Sequence, residues 1–301
     1  MNKFRKTSLI LILLICSSIH YAYAQTGCNT NTDQIIRVLA IGNSFSEDAI
    51  ESHLHDIAKA ADVKVIIGNL YIPGCTLERH WNNAQSGEGA YAYRKIGLDG
   101  IKIEIKNTTL LDGIEDEEWD YISLQQVSGL SGMIDSYSAH LPLLYTYVDS
   151  KKRKESGEII LHQTWAYATT STHPDFSKYN NNQMKMYTEI VNAAWRAAEM
   201  VGISTIVPVG TAIQNGRTSF IGDNFCRDGY HLDAGIGKYT AACTWFEKLT
   251  GKSVIGNSYK PDELAIEEIK VAQLAAHNAI ANPKGITESI YKRSMTLIEA
   301  E

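Results

Sequence analysis

The sequence predicts an α/β protein with a central parallel sheet of about five strands. Two features of the chain carry that expectation: five short apolar runs of strand length, and stretches between them whose apolar residues recur at helical spacing. Strands that alternate with helices imply βαβ units, and such units place their strands parallel in one sheet.

The first run, 34–41, is continuously apolar toward its end and stops at Gly42-Asn43-Ser44, as a strand buried on both faces does. From 47 to 61 the apolar residues Ile50, Leu54, Ile57, Ala58 and Ala61 follow a helical period, so one helix is expected there. Residues 63–72 form a second strand closed by Pro73-Gly74. Residues 87–107 are less regular, with 101–106 alternating like a half-exposed strand, and read as an insertion. Strands are expected at 119–125, 158–163 and 203–209. An amphipathic helix over 183–200 stops at Gly202, and helical patterns at 234–249 and 261–281 finish the chain.

The chain has 301 residues, 44% hydrophobic and 21% charged, which excludes a disordered, collagen-like or coiled-coil protein. Residues 1–24 carry Lys3, Arg5 and Lys6, an apolar run at 9–15 and Ala22-Tyr23-Ala24, the pattern of a secretory signal peptide. One domain is expected over 25–301, exported to the periplasm, the cell surface or the medium. Cys16 lies in Leu13-Leu14-Ile15-Cys16, but Ile15 is larger than the residue that lipid attachment favours. Removal of the leader lowers the formal charge of −6 by three, to −9, so a nucleic acid is not an expected partner. No later stretch reaches 18 uninterrupted apolar residues, so no membrane span is expected. Cys28, Cys75, Cys226 and Cys243 remain, in a compartment where disulfides persist, and none has the spacing of a metal site.

In parallel sheets, ligands bind beyond the carboxyl ends of the strands, which directs attention to 42–46, Gly74, Gln125, Gln163 and Gly210. Ile41-Gly-Asn-Ser-Phe-Ser46 resembles the first block of the SGNH (GDSL-type) hydrolases, whose serine nucleophile follows the first strand. Asp228-Gly-Tyr-His231 resembles their last block, the D-x-x-H element, and Gly74 stands where the family places an oxyanion-hole glycine. The resemblance implies a flavodoxin-like three-layer α/β/α sandwich, a serine esterase with Ser44, His231 and Asp228 as its catalytic residues, and no cofactor or metal.

The chemistry of these residues agrees. A serine hydroxyl needs a base to accept its proton, and a neutral imidazole held by a carboxylate is such a base. The Ser44 N–H, at a helix start, and the Gly74 N–H would face the developing oxyanion. The family's third donor is an asparagine in a Gly-x-Asn block, where this chain reads Leu124-Gln-Gln-Val-Ser-Gly129. Gln125 is the expected replacement and Ser128 the next choice. Ser44 and Glu47 also spell a helix capping box, S-x-x-E, which would account for the same letters without chemistry.

Trp81, Trp165 and Tyr230 lie near strand-end loops, where aromatic faces suit sugars. His80, His162 and His173 also lie near loops that could rim a site, while His53 and His55 read as packing or surface residues. A Cys75–Cys226 disulfide would tie the Gly74 loop to the Asp228 loop. The expected substrate is an acylated glycan, chiefly O-acetylated, or a small ester. The alternatives are a glycan-binding protein with weak or no turnover, and a lipid- or thioester-directed hydrolase.

Overall fold

In the computed structural model the described residues are 35–292, so the leader at 1–24, with Cys16, and Cys28 fall outside them. The elements in chain order are β1 (Ile35–Gly42), α1 (Ser44–Ile50), α2 (Leu54–Ala60), β2 (Lys64–Tyr71), α3 (Leu77–Ser86), β3 (Tyr91–Ile96) and β4 (Lys102–Thr108). There follow α4 (Leu110–Glu115), β5 (Tyr121–Leu124), α5 (Asp135–Ser138), α6 (Leu141–Lys151), β6 (Glu158–His162), α7 (Gln183–Val201), β7 (Ile206–Val207), α8 (Val209–Arg217), α9 (Ile236–Thr250) and α10 (Ile266–Ala281).

The strands form one sheet in the order β4-β3-β2-β1-β5-β6-β7. β2, β1, β5, β6 and β7 run parallel, and β3 and β4 extend the sheet antiparallel beyond β2. Counted alone, the five parallel strands follow the doubly wound order 2-1-3-4-5 of flavodoxin-like proteins. β1 lies in the middle because its side chains are apolar on both faces. Val38 and Ala40 pack with α1, α2, α9 and α10, while Leu39 and Ile41 pack with α3, α4, α6 and α7. The fold is therefore the three-layer α/β/α sandwich with helices on both faces.

Four expectations need correction. The helical pattern at 47–61 is two helices, because residues 51–53 leave the helix between α1 and α2. The segment 87–107 is no insertion, since β3 and β4 belong to the main sheet. The strand expected at 203–209 is only Ile206–Val207, cut short by Pro208, which has no N–H to give a ladder, and Val209 already begins α8. Helices α3, α4, α5, α6 and α8 had no expected counterpart.

Because β1, β2, β5 and β6 are parallel, their carboxyl ends share one edge of the sheet. Gly42, Tyr71, Leu124 and His162 end there, and the loops after them are brought together. Among the described residues no helix is long and apolar enough to cross a membrane.

Candidate active site

Beyond β1 the chain turns at Asn43, whose extended backbone makes it the cap of α1. Its side-chain Oδ1 accepts the Phe45 N–H at 3.0 Å, and its carbonyl accepts the Glu47 N–H at 3.1 Å and the Ser46 hydroxyl at 2.8 Å. The capping thus falls to Asn43. Ser44, the first residue of α1, keeps its hydroxyl for another partner, and its Oγ lies 2.9 Å from His231 Nε2.

His231 is held by its own loop. Asp228 Oδ1 accepts the backbone N–H groups of Tyr230 at 3.1 Å and His231 at 2.8 Å, and Asp228 Oδ2 lies 2.7 Å from His231 Nδ1. A carboxylate only accepts, so the ring proton sits on Nδ1 and Nε2 faces Ser44 as an acceptor. Partial burial works to raise the Asp228 carboxyl. The hydrogen bonds from the His231 ring and from the His231 and Tyr230 N–H groups outweigh it and hold the carboxyl below its ordinary value.

A second carboxylate ties this loop to α1. Asp48, 1% exposed on the helix that begins with Ser44, accepts the Leu232 N–H at 2.9 Å. It also pairs with Arg227 and Lys238, each at 3.1 Å.

The loop after β2 supplies Gly74. Pro73-Gly74 occupies the centre of a turn closed by the Cys75 N–H on the Ile72 carbonyl at 3.2 Å, and Gly74 has φ +59, which glycine adopts without strain. Among the described residues neither the Ser44 nor the Gly74 N–H has a hydrogen-bond partner.

Gln125 does not take the role expected of it. It is 1% exposed, and its amide Nε2 donates to Asn43 Oδ1 at 2.8 Å. Its Oε1 meets His162 Nδ1 at 2.7 Å, while Asn43 Nδ2 donates to the Cys75 carbonyl at 3.0 Å. The direction of this chain follows from its ends. Asn43 Oδ1 accepts the Phe45 N–H, so Gln125 approaches it with its amide nitrogen, presents its carbonyl to His162, and requires a proton on His162 Nδ1. His162 is 2% exposed beneath the site, and burial pushes it down to about 3, so it is a fixed neutral donor. Gln125 therefore braces the loop beside Gly74 through Asn43.

Ser128, the next choice, does line the cleft. Its Oγ lies 2.8 Å from the Tyr167 hydroxyl. The cleft, about 420 Å³, is walled by Ser44, Gly74, Ser128, Tyr230 and His231, together with Tyr71, His173 and Asp175. Of these three, His173 was among the histidines expected near the rim, and Tyr71 and Asp175 carried no signal in the sequence beyond their residue type. His173 stands edge-on to Tyr230, with ring centroids 4.7 Å apart.

The expected aromatic rim is otherwise corrected. Trp165 is fully buried, stacks on Phe45 at 4.1 Å and donates to the Tyr230 carbonyl at 2.7 Å, so it supports the loop from below. Trp81, half-buried on α3, packs on the core of the opposite layer and is no part of the cleft wall. Of the three loop histidines, His80 is buried against Tyr91 and His162 lies under Gln125, which leaves His173. His53 is a packing residue between Tyr259 and the Ala234 carbonyl.

The Cys75–Cys226 disulfide is absent. Both thiols are free, as is Cys243. Cys75 is buried against His80, and burial pushes both Cys75 and Cys226 up to about 12, so both stay protonated.

The family described as "Domain of unknown function (DUF4886)" matches residues 37–279. A crystal structure of a DUF4886 family protein from Bacteroides uniformis ATCC 8492 is 54% identical, with a TM-score of 0.84, and the match covers 85% of this chain and 98% of that one. A catalytic mutant of an acetylxylan esterase from Geobacillus stearothermophilus is 11% identical, with a TM-score of 0.48, over 71% of this chain and 94% of that one. An alpha/beta hydrolase enzyme from the metagenome of Lake Arreo, Spain, is also 11% identical, with a TM-score of 0.45, over the same shares. Likenesses as distant as these two have no bearing on activity. The comparison with curated proteins found no match.

Proposed function

The chain belongs to the DUF4886 family, and from the geometry of its cleft, with export taken from the leader pattern of residues 1–24, we propose that it is an exported serine esterase of the SGNH type that removes O-acyl groups, chiefly O-acetyl, from polysaccharides or oligosaccharides. The observation that supports this reading is the relay from Ser44 Oγ to His231 Nε2 at 2.9 Å and from His231 Nδ1 to Asp228 at 2.7 Å, opening into a cleft.

In the proposed reaction Ser44 Oγ attacks the ester carbonyl as His231 Nε2 takes its proton, and Asp228 stabilises the resulting imidazolium. The carbonyl electron pair moves onto oxygen, where the partnerless Ser44 and Gly74 N–H groups donate to it. The Ser128 hydroxyl is the third donor. With Tyr167 donating to Ser128 Oγ, the serine proton is free to turn into the cleft. The carbonyl re-forms, the sugar alcohol leaves with the proton from His231, and water releases the acid from Ser44 by the same steps. Tyr71, His173 and Tyr230 offer aromatic faces to the sugar.

The glycan-binding reading draws on Gln125, whose amide faces Asn43 and not the cleft. Loss of one oxyanion donor typically costs ~10²–10³ in rate. The test is acetate release from acetylated xylan and pectin, alongside p-nitrophenyl acetate, by the purified protein and by Ser44→Ala and His231→Ala. The esterase reading expects release that both variants abolish. No release from any ester, with all three proteins binding glycan equally, favours the binding protein.

A further inference from the structure

Among the described residues β4 is an outer strand, hydrogen-bonded to β3 on one side only. The unpaired N–H and C=O groups of such a strand are a template for another strand, and folded proteins ordinarily blunt it with charge, proline or a bulge. Residues 101–105 lack proline and glycine, and 102–105 pair regularly with β3. The irregularity falls between Ile105 and Thr108, where Asn107 takes φ +57. Ile103 and Ile105 are each 51% exposed on one face of the strand, and Ile101, immediately before it, is 63% exposed. Lys102 and Glu104 occupy the other face, held there by Glu51 at 3.2 Å and Arg94 at 3.0 Å, with their side chains still 49% and 38% exposed.

The sequence Ile101-Lys-Ile-Glu-Ile105 is complementary to itself in one antiparallel register. With a two-fold axis at Ile103, Lys102 stands opposite Glu104 of the second copy, twice. Ile101 then stands opposite Ile105, and Ile103 opposite itself. An axis at Glu104 would set Glu against Glu and Lys102 against Lys106, and an axis at Ile105 would run the pairing into the irregular segment at Asn107. Opposite charges and β-branched residues directly across from each other favour pairing, while like charges oppose it. We propose that the chain forms a two-fold dimer by pairing β4 with β4 of a second copy about Ile103, which joins the two sheets into one. The dimer is independent of the esterase reading.

Sedimentation velocity of the purified full chain over a concentration series into the high-micromolar range tests this. The wild type is expected at twice the mass of one chain. Ile103→Glu, at a half-exposed position the fold does not need, sets Glu against Glu on the axis and returns the mass of one chain. Glu104→Lys weakens the dimer about tenfold or more, and Lys102→Glu with Glu104→Lys restores it. A wild type at single-chain mass throughout, or a dimer indifferent to Ile103→Glu, overturns the proposal. A double variant as weak as Glu104→Lys overturns the register.

Discussion

Asp48 accepts the backbone N–H of Leu232 at 2.9 Å, and through that bond the helix that begins with Ser44 is fastened to the loop that ends in His231. The carboxylate is fully buried, and Arg227 and Lys238 complete its surroundings. Nucleophile and base lie 187 residues apart, so their separation depends on such fastenings.

Asp48→Asn preserves the shape but removes the charge that pairs with Arg227 and Lys238. Both cations retain some exposure, so the cost is below that of breaking a fully buried pair, about 1–3 kcal/mol. The expected outcome is a lower urea midpoint together with a fall in kcat on p-nitrophenyl acetate at little changed KM. A variant with wild-type stability and kcat would show that the clamp has no role.

Gln125 and His162 are expected to act as one unit. Gln125→Ala and His162→Ala should each lower kcat/KM, and the double variant should lose about as much as either alone, because both break the same chain to Asn43 and Cys75. If Gln125 donated directly to the oxyanion, its loss would be much larger than that of His162 and the two effects would add.

His80 and His162 are both pushed down to about 3 by burial, against an ordinary ~6.5 in the unfolded chain. The unfolded state then binds more protons in acid. The neutral histidines leave stability intact above ~6.5, and it is lost as the pH falls from there toward about 3, by roughly 1.4 kcal/mol per pH unit for each histidine. Urea midpoints from pH 8 to pH 4 should decline, and more gently in His162→Gln. Parallel profiles for the variant and the wild type would contradict this.

Ser128→Ala should lower kcat by about 10²-fold if its hydroxyl completes the oxyanion hole, with the fold unchanged. Tyr167→Phe should have a smaller effect in the same direction, because it removes only the partner that orients Ser128. Unaltered turnover in Ser128→Ala would leave the hole with the two backbone donors.

The parallel strands were legible because each is a short apolar run closed by a breaker or a polar tip, and burial on both faces leaves no other reading of a segment such as 36–41. β3 was not, and β4 showed its alternation at 101–106 but not its place in the main sheet, because outer strands keep polar residues among their apolar ones and, among the described residues, β4 is covered on neither face. In the site, Ser44, Asp228 and His231 stood out because each sits in a short local motif whose backbone shape is largely set by its own letters. The direction of the Gln125 amide depends on Asn43, 82 positions away, and no local pattern encodes it. Trp165 misled for a related reason: a large aromatic near a strand end can face the cleft or floor it, and its stacking on Phe45 with its bond to the Tyr230 carbonyl decides for the floor. Asp48 looked like any acidic residue on a helix, since its value comes from Leu232, Arg227 and Lys238.

Whether Ser44 is an activated nucleophile is settled most directly by incubating the protein with a fluorophosphonate and mapping the modified peptide by mass. The geometry leads to a single adduct on Ser44, formed by the wild type and lost in both Ser44→Ala and His231→Ala. A folded wild-type protein that acquires no adduct, or acquires one elsewhere that both variants retain, would contradict the esterase reading.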